Sequence, residues 1–419
     1  MGWKKESLVD LVESLHQGLN TAGEKIKFVD SGYPIIQTRN LDNGKVDLDH
    51  KIKFMSQEDW DKYKDKYRPE VGDVFFTNIG TIGKTAIVNK SDDYLIHWNI
   101  FKIRPLSDKL TPAYLKYRLD YLTNSGFFTD SQKGGTVNFV TKKMMSSVEI
   151  PLPPIPKQKR IVAILDQAFA DIELARAKTE QNLLNARELF ESYLQQVFSP
   201  CNKGWEYKCL GDVLLDKPRN GWSPPAKSHA DIGVPVLTLS SVTGFDFKSE
   251  KIKFTSALTK ADSHYWAENG DLLITRSNTP ELVGHVAICA GIKTPTIYPD
   301  LIMKLKLDTS IVITPFIYYQ LRSKNLRQLI TSSAQGANPT MKKINQGVVQ
   351  GLPIGYPDTG IQKAIVERFD SIYCASSKLQ VIYQKKLIQL EELKKSILQK
   401  AFSGELTKAP AIKTKKGAA

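Results

Sequence analysis

Residues 158–198 read QKRIVAILDQAFADIELARAKTEQNLLNARELFESYLQQVF, a run without glycine or proline. Val162, Leu165, Phe169, Ile172, Arg176, Thr179, Leu183, Ala186, Phe190, Tyr193 and Val197 fall at alternating spacings of three and four. That is the seam of a coiled-coil helix, interrupted in its middle by Arg176 and Thr179. At 1.5 Å per residue it predicts a rod of roughly 60 Å. Such a helix needs a partner for its apolar stripe. Residues 361–402 repeat the pattern with Ile365, Phe369, Ile372, Ser376, Leu379, Tyr383, Leu387, Leu390 and Ile397. A globular stretch between the two can return the chain to the far end, which predicts antiparallel pairing.

Outward from the helices the whole chain is written twice. Gly2-Trp3 recurs as Gly204-Trp205, and Gly32-Tyr33-Pro34 as Gly233-Val234-Pro235. Lys51-Ile52-Lys53-Phe54 recurs as Lys251-Ile252-Lys253-Phe254, and Gly72-Asp73-Val74 as Gly270-Asp271-Leu272. Gly135-Thr136-Val137-Asn138 leads to Lys142-Lys143, as Gly336-Ala337-Asn338 leads to Lys342-Lys343, and Gln158-Lys159 recurs as Gln362-Lys363. Each copy opens on short β-rich runs, in the first copy 73–77, 85–88 and 95–103, with short helices at 112–123 and 315–323. A proline-rich stop (151–156, 352–357) precedes each long helix. The expected fold is α+β: two similar globular domains separated by a pair of long antiparallel coiled-coil helices and related by a pseudo-two-fold axis.

With 41% hydrophobic and 24% charged residues over 419 positions, the composition is that of a soluble, multidomain protein. No apolar run is long enough for a membrane span and no signal-peptide core opens the chain, so a cytoplasmic protein without membrane association is expected. Four cysteines without a C-x-x-C pair read as reduced thiols. The net charge of +14 favours a polyanionic partner. The first 150 residues are nearly balanced, so a DNA-binding face there must come from segregated charges. Two like modules on a stiff spacer suit duplex DNA, whose groove repeats every ~34 Å. A duplicated domain with a coiled-coil scaffolding or self-association role and no DNA fits the same pattern.

Catalytic motifs fail on spacing. Gly80-Thr81-Ile82-Gly83-Lys84-Thr85 lacks two residues of a phosphate-cradling loop, and its second copy ends in Gly284-His285 with no lysine. Asn338-Pro339-Thr340-Met341 lacks the aromatic that clamps a flipped base. Glu392-Leu393-Lys394 lies inside the helical seam without a partner carboxylate for Mg²⁺. The six histidines show no metal-ligand spacing.

The run Pro151-Leu152-Pro153-Pro154-Ile155-Pro156-Lys157-Gln158-Lys159-Arg160-Ile161-Val162 resembles the signature that opens the central conserved helix of type I restriction–modification specificity subunits. Gly336-Ala337-Asn338 resembles the G-A-N element before it, and Ala401-Phe402-Ser403-Gly404-Glu405-Leu406 the ending of the distal helix. Lys157 replaces the usual glutamate, the first copy lacks G-A-N, and the second proline-rich stop is degraded. The resemblance covers the whole chain. It implies target-recognition domains at 1–156 and 201–357, conserved helices at 157–200 and 358–407, and a basic tail at 408–419. It further implies that each recognition domain reads one half of a bipartite double-stranded DNA site, and that the helix pair sets the spacer. Two modification (methyltransferase) subunits dock on the helices, and restriction motor–nuclease subunits join them in the prokaryotic cytoplasm. S-adenosylmethionine, ATP and Mg²⁺ are then expected on the partners and no cofactor on this chain. A recognition subunit serving a fused restriction-and-modification polypeptide stays open as an alternative.

Base reading calls for Arg or Lys to guanine and Asn or Gln to adenine, presented from loops after strands. In the first copy this selects Arg39, Asn40, Asn78, Lys84, Gln132, Lys133, Asn138, Lys142 and Lys143. In the second it selects Arg219, Asn220, Arg276, Asn278, His285, Gln335, Asn338, Lys342 and Lys343. The Gly-Asn-Lys-Lys element recurs in both copies and suits phosphate contact or a structural turn better than base reading. Arg39 against Leu239 and Asn78 against Ser277 differ, as readers of two half-sites would.

Overall fold

A computed structural model describes residues 3–42, 44–130, 139–199, 202–338 and 340–406. The chain forms two compact units, one of Met1–Thr179 with Lys385–Ala419 and one of Glu180–Gln384.

In the first unit an antiparallel sheet runs in the order Val12–Gln17, Ile100–Pro105, Val74–Thr77, Thr85–Ile87. Its inner strand is buried on both faces, which is why the sequence Val-Phe-Phe-Thr shows no polar alternation. Val74 and Phe76, with Phe101 and Ile103, face a core of helix residues that includes Tyr114, Leu115, Ile161 and Leu165. Phe75, with Ala86 and Ile100, faces the opposite core around Ile36 and Tyr94. The run expected as one strand over 95–103 divides, because it serves two sheets. Leu95–Ile96 pairs in parallel with Ile35–Ile36, a turn closes from Ile100 N–H to the His97 carbonyl (2.9 Å), and Ile100–Pro105 joins the larger sheet.

The second unit repeats this plan. Its four-stranded sheet runs Arg219–Asn220, Ile302–Leu305, Leu272–Thr275, Val286–Ile288. Leu272 and Ile274 enter the helix-facing core, and Leu273 the core beneath a five-stranded sheet whose middle strand is Val234–Leu237.

The central helix is Ile155–Val197 and the distal helix Thr359–Ser403. The central helix starts earlier than the proline-free run suggested, since Pro156 lies in the first turn, where a missing N–H costs nothing. The distal helix starts on Asp358, whose Oδ1 accepts from the N–H groups of Gly360 and Ile361 (2.9 and 3.0 Å). Within the first unit Glu173 meets Lys394 at 3.1 Å and Arg176 meets Glu391 at 3.2 Å, so the two helix segments run antiparallel. Within the second unit Ser376 donates to the Ala186 carbonyl, and Phe190 packs on Tyr373 with ring centres 5.3 Å apart, in the same reversed order.

The seam is thinner than its spacing suggested. Ile172, Thr179 and Ala186 are buried, whereas Phe169 and Leu183 are only half-buried and Arg176 is exposed. Leu174 (72% exposed), Leu184 and Leu189 on the central helix, and Val381, Ile382, Ile388 and Leu393 on the distal one, lie on the surface.

Candidate nucleic-acid interface

Each recognition sheet is held to its long helix by the same three side chains. Gln158 is fully buried; its Oε1 accepts from Thr111 N–H (2.9 Å), and its Nε2 donates to the carbonyls of Lys109 (2.8 Å) and Pro153 (2.9 Å). Gln362 does the same with Ile313 N–H (2.9 Å) and the carbonyls of Ile311 (2.9 Å) and Pro357 (2.8 Å). Two helix turns further on, the Tyr117 hydroxyl donates to Asp166, as that of Tyr319 does to Asp370. A buried amide with both ends used fixes the angle at which the helix leaves the sheet. Sequence reasoning matched Gln158 with Gln362 but gave neither a role. Their identity in both copies, where most polar positions differ, was the available signal.

These anchors correct the alignment of the two copies. The turn after Val74–Thr77 returns Gly83 N–H to Thr77 O, and its counterpart returns Gly284 N–H to Thr275 O. Asn78 therefore corresponds to Arg276, not Ser277, and Lys84 to His285. Gln37 and Asn40 form the same capping box as Thr238 and Ser241, so Arg39 corresponds to Ser240, not Leu239. Val140 N–H bonds Asn78 O as Ile344 N–H bonds Arg276 O. Lys142 and Lys143 thus lie on the short helix Lys142–Ser146, beyond the level of Lys342 and Lys343, which form a strand. The two lysine pairs are not equivalent; the match of letters came from loops of different length.

The second unit gathers most of its candidates. Ser277–Asn278 pairs with Lys342–Lys343, and Gln335 bridges to Lys343, so Arg276, Asn278, Gln335, Asn338, Lys342 and Lys343 share one ribbon at the end of Leu272–Thr275. Arg219 and Asn220 lie apart on the edge strand, with Ile302–Leu305 in between. Asn338 is exposed and turns its Oδ1 onto Thr340 N–H (2.9 Å), while Lys342 donates to the Gly336 carbonyl (2.9 Å). In the first unit Asn78 is brought beside Phe139 and Val140, and Lys142 and Lys143 are exposed nearby. Arg39 is exposed and donates to Gln37. Gln132, Lys133 and Asn138 fall outside the described residues.

Several candidates have their polar atoms committed to the fold. Asn40 is buried, accepting from Gln37 N–H (3.0 Å) and donating to the His50 carbonyl (2.7 Å). Lys84 spends its ammonium on the Leu41 carbonyl (2.9 Å). Asn278 bonds Thr243 and Thr279. His285 is 8% exposed, stacks on Phe245 with ring centres 4.1 Å apart, and has both nitrogens used. Nδ1 accepts from Gly244 N–H and Nε2 donates to the Glu281 carbonyl, each at 3.0 Å. Burial, and then the charge of Arg327, lower its pKa to about 4, so the ring is neutral. As folded, these four hold loops in place instead of facing a base. Asn78 and Asn220 each keep a buried side-chain oxygen without a partner.

The apolar residues that flank the helical seams divide, with Ile164 half-buried. Ile161, Val366 and Leu398 are in the cores, because the sheets pack on those helix faces, while Ile382 is exposed. Among the described residues no group of three or more His, Cys, Asp or Glu side chains is placed to hold a metal, and no helix is long and apolar enough to cross a membrane.

Two sheet-and-helix modules with a common frame and different polar side chains at the same loop positions define a two-module specificity protein. Residues 1–184 and 202–391 each match the type I restriction modification DNA specificity domain, and the chain belongs to that family, whose specificity subunits are not catalytic. It is 26% identical to a putative type I restriction enzyme specificity subunit, MjaX, of Methanocaldococcus jannaschii, over 96% of this chain and 93% of that one. It is 24% identical to the EcoKI specificity subunit of Escherichia coli, over 95% and 88% of the two chains. The fold is shared with a solved type I restriction–modification chain (TM-score 0.73, 21% identity, 97% and 98% covered). It is also shared with the HsdS subunit from Thermoanaerobacter tengcongensis (TM-score 0.64, 20% identity, 97% of each chain).

Proposed function

We propose that this protein directs a type I restriction–modification complex to a bipartite double-stranded DNA site, each unit reading one half. The observation that carries this is one frame holding different side chains at equivalent positions: Asn78 against Arg276, Arg39 against Ser240. An asymmetric split site needs two like scaffolds with unlike readers. The exposed Arg39, Lys142 and Lys143 in the first unit, and the ribbon of Arg276, Gln335, Asn338, Lys342 and Lys343 with Arg219 in the second, are the residues to contact bases and phosphates. The target-recognition domains are 1–156 and 201–357, and the helices 157–200 and 358–407 set the spacer. The exposed apolar residues around Leu174, Leu184, Ile382 and Ile388 suit docking of two methyltransferase subunits, which motor–nuclease subunits then join. S-adenosylmethionine, ATP and Mg²⁺ act on those partners, in the cytoplasm.

Methylome sequencing with and without the gene tests the reading: one split methylated motif should vanish on deletion. An unchanged methylome in a strain whose partner subunits are expressed contradicts it. Matched seven-residue insertions after Thr179 and after Tyr383 preserve the helical seam and add roughly 10 Å to the rod. The spacer between half-sites should lengthen by about three base pairs, and an unchanged spacer removes the ruler role.

A further inference from the structure

We propose that a cavity beside Phe198 and Trp205, in the second unit, is the seat for an arginine side chain carried by a partner protein. In the first unit the chain fills the corresponding place itself. Arg118 is 9% exposed, with its guanidinium carbon 5.2 Å from the Tyr121 ring centre and 5.5 Å from that of Phe402. It donates to the Glu149 carbonyl from Nε (3.2 Å) and from a terminal nitrogen (2.9 Å). The glutamine and tyrosine–aspartate anchors align Arg118 with Gln320, Tyr121 with Ser323 and Phe402 with Phe198. Two large side chains are thus replaced by smaller ones, and a cavity of about 650 Å³ opens.

Its chemistry matches the missing group. Phe198, Trp205 and Tyr207 supply aromatic surface, Leu326 and Leu329 aliphatic surface, and no charged residue lines it. Gln320 lines it too, is 6% exposed, and donates from Nε2 to the Gly355 carbonyl (3.1 Å). Its Oε1 is buried without any donor. Aromatic faces attract a cation, and a planar guanidinium brings a fork of N–H donors to a waiting carbonyl oxygen. An ammonium is more strongly hydrated and lacks the flat face. Tyr207 and Leu329 are 50% and 43% exposed, an aromatic and aliphatic rim of the kind that surrounds a buried anchor residue at a protein–protein contact. That rim favours a partner's arginine over a free cation.

The test titrates the full-length protein, by calorimetry and tryptophan emission, with acetyl-Gly-Arg-Gly-amide, its lysine counterpart and N-ethylguanidinium. The arginine peptide should bind saturably and about ten-fold more tightly than the lysine peptide. Gln320→Arg with Ser323→Tyr, which rebuilds the filling of the first unit, should abolish binding while keeping or raising the melting temperature. Leu329→Arg, at the exposed rim, should also abolish it, and decides the matter alone if the double variant does not fold. Equal binding of the two peptides overturns the proposal. So does binding that persists in the folded variants, or binding of N-ethylguanidinium without the arginine peptide.

Discussion

In the first unit the corner between recognition sheet and long helices is a charged cavity of about 850 Å³, lined by Lys45, Lys84, Lys116, Asp120, Asp166 and Glu391 among others, and bordered by Gly44. In the second unit Phe245 stands where Gly44 does, and the remaining cavity is about 320 Å³. Both residues follow the same capped turn, with Asp47 N–H on the Asn40 carbonyl and Lys248 N–H on that of Ser241. Both have a left-handed backbone, φ +76° for Gly44 and +71° for Phe245. A phenylalanine there costs on the order of 1 kcal/mol. The cost is offset by the ring's stack on His285 and by Arg322, whose guanidinium lies 4.8 to 5.7 Å from the ring centres of Phe190, Phe245, Tyr318, Tyr319 and Tyr373. The counterpart of Arg322 is Asp120, which pairs with Lys116 (2.7 Å) and accepts from Thr85 (2.6 Å). The same frame is thus filled with aromatic rings in one unit and left open and charged in the other. The anchors define the module, and the corners are free to diverge.

The largest effect should come from what the units share. Gln158→Ala or Gln362→Ala strands one buried N–H and two carbonyls, and either should cost about 3–5 kcal/mol in urea unfolding. Unequal losses, with one below about 1 kcal/mol, would show that the anchors are not equivalent.

Next comes the pH response of the aromatic corner. His285 titrates near 4 when folded against an ordinary 6.5, so the unfolded chain takes up the proton first. Its stabilising contribution is complete above about pH 6.5 and is lost as pH falls towards 4, at most about 3 kcal/mol. Stability measured over that window should fall more steeply for the wild type than for His285→Gln. Parallel curves would place the titration elsewhere.

Arg322→Met should cost about 2 kcal/mol through its lost ring contacts and its hydrogen bond to the Tyr318 hydroxyl (2.7 Å), whereas Asp120→Asn should cost under about 1. A reversed order would mean that the open corner, not the filled one, holds its module in place. Smallest of all, Glu391→Ala removes an exposed pair with Arg176 and should change stability by less than about 0.5 kcal/mol.

The duplication, the two long helices and their antiparallel sense were legible because periodicity and repeated letters survive without any knowledge of loops. The helix starts were less so, since Pro156 and Gly360 are tolerated in a first turn although both break helices elsewhere. Loop candidates were the least legible. Asn40 and His285 look like readers by type, yet a local capping box with Gln37 absorbs the first, and a ring stack on Phe245, forty residues away, absorbs the second. The pairing of Lys142 with Lys342 failed because insertions before the helix shifted the copies, and backbone bonds, not letters, reveal that shift.

The central claim is that each unit reads its own half-site on a common frame. Exchanging residues 202–357 for the corresponding segment of a relative with a different target, followed by methylome sequencing, tests it most directly. One half of the split motif should change to the relative's and the other should stay, with the spacer unaltered. A motif changed in both halves, or in neither while methylation persists, would contradict the account.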